Sequence, residues 1–279
     1  MLAGLSCQIV TTEFAVWIQI ECSMKPIEES VVTAMDGSDK LLYPYLPYIL
    51  QDIWELGASP EIIIDLIKKH KRDFESLKIL DLGSGKGAVS IKIAKELKCN
   101  CFGIDAVQEF VDQAVIMSME NNVREYCKYE VADIRTKRYD EPEYDIIILG
   151  AIGSVFGDYY STLKTIKNCL LPDGLIIIDD SYVIDNSNYS HPRVQKKSRN
   201  INQIADAKMK IIDEVIISAD PIKKSNKEII DKIKLRCGEL IKKEPENKYL
   251  FENYIKDQEY ENEVLEQEVI SSTIVIRNI

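Results

Sequence analysis

The chain has 279 residues, of which 46 are acidic and 35 basic, giving a formal net charge of −11, and 46% are hydrophobic. That length suits one sizeable α/β domain with an extra subdomain, and the acidity argues against a nucleic-acid backbone as partner, because such binding rests on clustered Lys and Arg. Seven cysteines, at positions 7, 22, 99, 101, 127, 169 and 237, form neither a C-x-x-C pair nor a Cys/His ligand set, so no disulfide framework and no metal site is expected. Cys99 and Cys101, flanking one apolar run, read as small buried hydrophobes of a reduced, cytoplasmic protein.

Met1 to Ser23 is apolar and β-branched with no Lys or Arg, so it lacks the basic start of a signal peptide and is too short in its apolar stretches to span a membrane. It reads as an added strand or helix of marginal packing, or as an extension upstream of a start at Met24. Asp36-Gly-Ser-Asp39 is a turn or cap. Leu41 to Tyr48 mixes aromatics with two prolines, and Tyr43, Tyr45 and Tyr48 either line a substrate pocket or pack a short capping segment on the core. Pro60 to Lys69 presents Ile62, Ile63, Leu66 and Ile67 on one face of a helix. The basic run Lys68 to Arg72 falls at the end of that helix, where cations favour the dipole.

Ile79 to Ala88 reads I-L-D-L-G-S-G-K-G-A, an apolar strand that ends in an acid and turns into a helix through three alternate glycines. Such a loop bends where glycine allows it and brings free N–H groups of a helix N-terminus to a ligand. A phosphate-binding P-loop fails twice, with Leu80 at the first glycine position and Gly87 at the hydroxyl position. The dinucleotide fingerprint fits Gly83, Gly85 and Ala88, with Asp105 near the expected ribose-acid spacing of about 20 residues. Further apolar runs then alternate with helical segments. A helix over Val89 to Leu97 precedes the strand Cys101 to Asp105, and one over Gln108 to Asn121 precedes the strand Tyr129 to Asp133. Tyr144 to Gly153 and Leu170 to Asp179 give two more strands, and Met209 to Ile217 and Ser272 to Ile276 the last two. Between those two, Asn226 to Lys243 is amphipathic and Tyr249 to Gln267 is an acidic helical stretch. The alternation predicts a doubly wound, mostly parallel sheet covered on both faces, with ligands at the carboxyl ends of its strands.

The D-x-G-x-G-x-G string at Asp81 to Gly87, with the acids and turns at the later strand ends in order, resembles the class I S-adenosylmethionine-dependent methyltransferases of small-molecule type. The resemblance runs from about Leu77 to the C-terminus. It implies a Rossmann-like, seven-stranded sheet with an antiparallel C-terminal strand pair, an N-terminal helical cap over residues 24–76, and a catalytic domain over 77–279 with a helical insertion at 221–268. It implies S-adenosylmethionine as cofactor, with Asp81, Gly83, Ser84, Gly85 and Gly87 forming the loop. Asp105 and Ala106 are implied for the ribose, Ala132, Asp133 and Ile134 for the adenine, and Leu149 and Gly150 for the methionine part. Each acid could instead cap a helix or turn.

Methyl transfer from a sulfonium needs mainly alignment, so few acceptor-side groups are legible. His191, in the loop after the fifth strand, and Tyr43 and Tyr45 are the catalytic candidates. Asp179 and Asp180 end the fifth strand where one subgroup of the family holds magnesium, but Leu149-Gly150-Ala151 lacks that subgroup's other acid, so no metal is expected. No [DNS]-P-P-[YF] follows the fourth strand and no Pro-Cys pair occurs, which disfavours adenine, glutamine or cytosine as acceptor. A small molecule remains, with no nucleic-acid or membrane partner and a homodimer or helical lid formed by the insertion. Two other functions fit the same loop: a nicotinamide-dependent oxidoreductase, and a non-catalytic S-adenosylmethionine-binding protein.

Overall fold

The computed structural model describes residues 24–279, so the expectations for Met1 to Ser23 lie outside the described residues. Its strands are β1 (Lys78–Leu82), β2 (Asn100–Asp105), β3 (Cys127–Val131), β4 (Tyr144–Gly150), β5 (Leu170–Tyr182), β6 (Met209–Ile216) and β7 (Ile270–Asn278), joined in one sheet of order β3-β2-β1-β4-β5-β7-β6. The pairs from β3 through β5 are parallel, and β7 runs antiparallel to both β5 and β6. The doubly wound, mostly parallel sheet with its late antiparallel pair is therefore as expected. Order reverses between β1 and β4, so the carboxyl ends of these strands flank the crevice where ligands of such sheets bind.

The helices are α1 (Ile27–Ala34), α2 (Leu46–Ile49), α3 (Pro60–His70), α4 (Ala88–Leu97), α5 (Gln108–Glu120), α6 (Tyr159–Ile166), α7 (Lys197–Asp206), α8 (Ala219–Lys243) and α9 (Lys248–Gln267). Period-two alternation along the strands builds two cores. Ile79, Ile146, Ile148 and Ile177 join Ile63, Ile67, Ile91 and Ala94 of α3 and α4 on one face. Leu80, Leu82, Ile147 and Leu149 join Leu163, Ile166 and Ile204 of α6 and α7 on the other. A third core lies off the sheet, where Val32, Leu46 and Ile49 pack with Ile233, Leu240, Phe251 and Tyr254 of α8 and α9.

Several boundaries differ from expectation; β5 runs on to Tyr182, held by its pairing with β7, so Asp179 and Asp180 lie within the strand and do not end it. The segment 24–76 is not one cap: α3 belongs to the helical layer of the sheet, while α1 and α2 pack with the insertion. β3 ends at Val131 instead of Asp133, because the Asp133 carboxylate turns to accept the Arg135 N–H at 2.9 Å and opens a 3₁₀ turn at Ile134–Thr136. The insertion starts earlier, at Ala219, its first turn accommodating Pro221 where a missing N–H is harmless. The basic run after α3 is used locally: Lys68 pairs with Glu96, and Lys69 and His70 both reach Asp213 on β6.

Candidate active site

The glycine loop owes its path to backbone conformation. Gly83, Gly85 and Gly87 have φ of +72°, +51° and +74°, the left-handed region that other residues enter only at a cost. Space is equally tight, since a Cβ on Gly83 would lie 2.5 Å from Ile152 and one on Gly87 2.6 Å from the Tyr129 hydroxyl. Four of the loop's N–H groups are already engaged within the protein. Those of Gly83 and Ser84 donate to Ile104 O, that of Gly87 to Ser84 O, and that of Gly85 to the Asp105 carboxylate at 2.8 Å. The loop thus shapes the site while β2 holds it.

Above it opens a cleft. Its floor is Asp81, Gly83, Ser84, Gly85, Asp105 and Ala106, continued by Ala132, Asp133, Ile134 and Gly150. These ten of the expected cofactor residues come together at the strand ends. Two do not line the cleft: Gly87 abuts Tyr129, and Leu149 points into the core on the opposite face of the sheet.

Each acid is held differently. Asp81 is buried with its Oδ2 lacking any partner, and burial pushes its carboxyl up to about 7 against the opposing contact of Ser90. Ser84 Oγ is a second buried, unpartnered atom. Asp105 accepts from Gly85 and, at 2.9 Å, from Val107 N–H; burial raises its carboxyl while these backbone donors oppose the shift. Since an ionised carboxylate offers about four acceptor sites, Asp105 keeps capacity for a ligand. Asp133 is gripped by Arg135, whose Nη2 lies 2.7 Å away, so it both caps a turn and lines the cleft.

The roof and far wall went unread. Ile27, Ser30, Val31 and Ala34 recur at i, i+3, i+4 and i+7 along α1, followed by Met35, and this stripe faces the cleft. Trp54, Leu56 and Ala58 form the wall beside Ala151, Ile152 and Val155. The wall is tied to the glycine loop through Lys86, which is 1% exposed. Its ammonium donates to the carbonyls of Leu50 and Ile53, its carbonyl accepts the Trp54 indole N–H at 3.1 Å, and burial pushes its amine down to about 8. The i, i+4, i+7 spacing of Ile27, Val31 and Ala34 was the available signal for α1. Nothing in sequence spacing pointed to Lys86.

The three catalytic candidates stand elsewhere. Tyr45 donates to Glu244 at 2.6 Å and packs edge-on against Phe251, pinning the cap to the insertion. Tyr43 is half-buried in the third core. His191 is buried, its Nδ1 accepting from the N–H groups of Arg193 and Val194 and its Nε2 facing Glu261 at 3.6 Å. None of the three lines the cleft. Asp179 and Asp180 accept hydroxyl protons from Thr273 and Tyr159, respectively. Glu55, on the cleft rim, is paired with Lys92 at 2.6 Å.

A family model described as a methyltransferase domain matches residues 73–265. The ubiquinone biosynthesis O-methyltransferase of Rickettsia bellii is 31% identical over 118 residues, which is 42% of this chain and 47% of that protein. The (S)-coclaurine N-methyltransferase of Thalictrum flavum is 26% identical over 134 residues, 47% of this chain and 36% of that protein. The chain therefore matches less than half the length of these curated relatives. A methyltransferase from Geobacter sulfurreducens, solved in complex with S-adenosyl-L-homocysteine, superposes with a TM-score of 0.71 over 85% of this chain and 98% of its own, at 15% identity. At that identity the likeness is one of fold.

Proposed function

Because the chain belongs to the class I S-adenosylmethionine-dependent methyltransferases, we propose that it transfers a methyl group from S-adenosylmethionine directly to a small-molecule acceptor seated beneath α1. The observation that carries this reading is the cleft in which a polar floor at the strand ends meets an apolar roof. The floor fits the cofactor: it has two buried polar atoms without partners, Asp81 Oδ2 and Ser84 Oγ, and a glycine cradle that any Cβ would fill. Four acids on the cleft, Glu55, Asp81, Asp105 and Asp133, suit a ligand bearing sulfonium and ammonium charge. The apolar wall of Trp54, Leu56, Ile152 and Val155 beside that floor suits a compact acceptor.

In this reading Asp105 takes the ribose hydroxyls with the acceptor sites left over from Gly85 and Val107, and Asp133 lies by the adenine. Asp81 and Ser84 face the methionine end. The cofactor supplies a methyl group already activated by its positive sulfur. The chain's own share is then alignment and exclusion of water, and alignment alone is worth roughly 7–11 kcal/mol of barrier. Trp54, Leu56, Ile152 and α1 perform that share by walling the cleft. The proposal extends to a cytoplasmic enzyme that acts without a nucleic-acid or membrane partner, and to a homodimer. No described helix is long and apolar enough to cross a membrane. The test is thermal unfolding with S-adenosylmethionine, S-adenosylhomocysteine or a nicotinamide dinucleotide at 100 times the dissociation constant, where about 2.7 kcal/mol of stabilisation is expected from a true ligand. Stabilisation by the dinucleotide alone would overturn the reading. Labelled-methyl transfer to a panel of phenols and amines then identifies the acceptor, and sedimentation reads the oligomeric state.

A further inference from the structure

The roof helix α1 is short, and its last carbonyls are met partly by the chain that follows, Met35 N–H donating to Val31 O, Gly37 N–H to Val32 O and Asp36 N–H to Thr33 O. Remote side chains add a second set of contacts to the same end. Arg193, from the loop between β5 and α7, donates through Nη1 to Thr33 O at 2.7 Å and through Nη2 to the Asp36 carboxylate at 2.9 Å. The same Nη2 contacts Glu261 of α9. Two further groups on α9 meet at one carbonyl, where Tyr254 Oη and Gln258 Nε2 donate to Met35 O at 3.1 and 2.9 Å. Asp257 accepts from both the N–H and the hydroxyl of Ser38. Residues 254, 257, 258 and 261 share one face of α9, at helical spacing. A single stripe of the insertion therefore reads the end of α1, and Arg193 joins that stripe to the loop after β5. His191 completes the joint: its Nδ1 takes the Arg193 and Val194 N–H groups, which leaves its Nε2 directed at Glu261.

We propose that Arg193 is a positioning residue that seats α1 over the cleft through Thr33, Asp36 and Glu261. Retention of ligands in the cleft then depends on the β5–α7 loop and on the insertion, although no atom of Arg193, Glu261 or His191 lines the cleft. The inference rests on the cleft being the cofactor site proposed above. The joint is partly buried, with Arg193 and Glu261 side chains 32% and 15% exposed, so its charge-assisted bonds are stronger than surface pairs. Burial and the Glu261 charge together push the Asp36 carboxyl up to about 6 against the pull of Arg193, as expected where two acids share one cation.

Two readouts on the full chain test this with Arg193→Met, Arg193→Lys and Glu261→Gln. Hydrogen exchange of the unliganded protein reports α1 directly. Arg193→Met is expected to speed exchange of the α1 amides by on the order of tenfold, with Arg193→Lys intermediate and the amides of β1 and β4 unchanged. Stopped-flow release of S-adenosylhomocysteine should accelerate in the same rank order, with a melting temperature close to that of the starting protein. Should Arg193→Met misfold, Glu261→Gln, which keeps the shape of the side chain, carries the test. Unaltered α1 exchange, or release that tracks only a global loss of stability, would overturn the proposal. Failure of the starting protein to bind S-adenosylhomocysteine would instead overturn the functional reading, and the exchange result would still judge Arg193.

Discussion

Substituting Asp81 by Asn removes a charge that the unliganded protein holds at a loss. The Asp81 carboxyl is buried, its Oδ2 has no partner, and its pKa rises from 3.8 to about 7. At about 1.4 kcal/mol per unit, a shift of that size bounds the cost of ionising it in the folded state at about 4 kcal/mol. Relaxation and the Ser90 contact reduce this, so a gain of about 1–3 kcal/mol for Asp81→Asn above pH 7 is the reasoned expectation. The sign follows from proton binding. A carboxyl with a raised folded pKa binds its proton more tightly when folded, so its contribution is present below about pH 4 and is lost as pH rises through about 7. Other raised acids, Asp36 and Asp179 among them, impose the same slope on both proteins, so the difference between them isolates Asp81. Urea unfolding at pH 4.5, 6 and 8 should show Asp81→Asn gaining on the starting protein as pH increases, while its stabilisation by S-adenosylhomocysteine shrinks. If Asp81→Asn is equally or less stable at every pH, the carboxylate is serving as a structural acceptor and the argument fails.

Asp105→Ala should abolish S-adenosylhomocysteine binding and also lower the unliganded melting point, because it strands the buried N–H groups of Gly85 and Val107 at about 1–3 kcal/mol each; calorimetry that finds the unliganded protein unchanged would refute the loop-holding role. Gly103→Ala places a Cβ 2.6 Å from the Tyr129 ring and 2.7 Å from Ser84 Oγ, for an expected loss of about 1–3 kcal/mol, which Tyr129→Ala should partly relieve in a double-mutant cycle. Trp54→Phe keeps the wall but loses the bond to Lys86 O; a several-fold weaker cofactor affinity by titration is expected, matching about 0.5–1.5 kcal/mol for one hydrogen bond.

The sheet was legible because strands buried on both faces must be continuously apolar. Ile146-Ile-Ile-Leu149 and Leu175-Ile-Ile-Ile178 have that character. The floor of the cleft was legible for a related reason, since positive φ demands glycine and a strand end demands an abrupt turn. The roof was not, because α1 is only eight residues long and Ser30 interrupts its apolar stripe. Lys86 matched the lysine of a phosphate loop that Leu80 and Gly87 exclude, yet its partners are carbonyls more than thirty positions away, and no local pattern encodes such a tie. Tyr43, Tyr45 and His191 looked chemical because of residue type alone. Their hydrogen bonds and packing are with the insertion and its neighbouring loop, contacts that exist only after long-range folding.

The place of β7 in the sheet has a bearing on how this chain acquires its structure during synthesis. Among the described residues β6 pairs with β7 alone, and β7 is separated from it by helices of 25 and 20 residues. As the polypeptide leaves the ribosome, β6 emerges with both hydrogen-bonding edges unpaired and must wait until α8 and α9 have followed it. Their mutual packing is local in sequence, so this helical hairpin forms early and delivers β7 to the slot between β5 and β6. The insertion that packs against α1 is therefore also the timer for closing the sheet. Ribosome-bound chains arrested within α9 would expose the Met209–Ile216 strand to chaperones, whereas the β1–β5 half would already be protected.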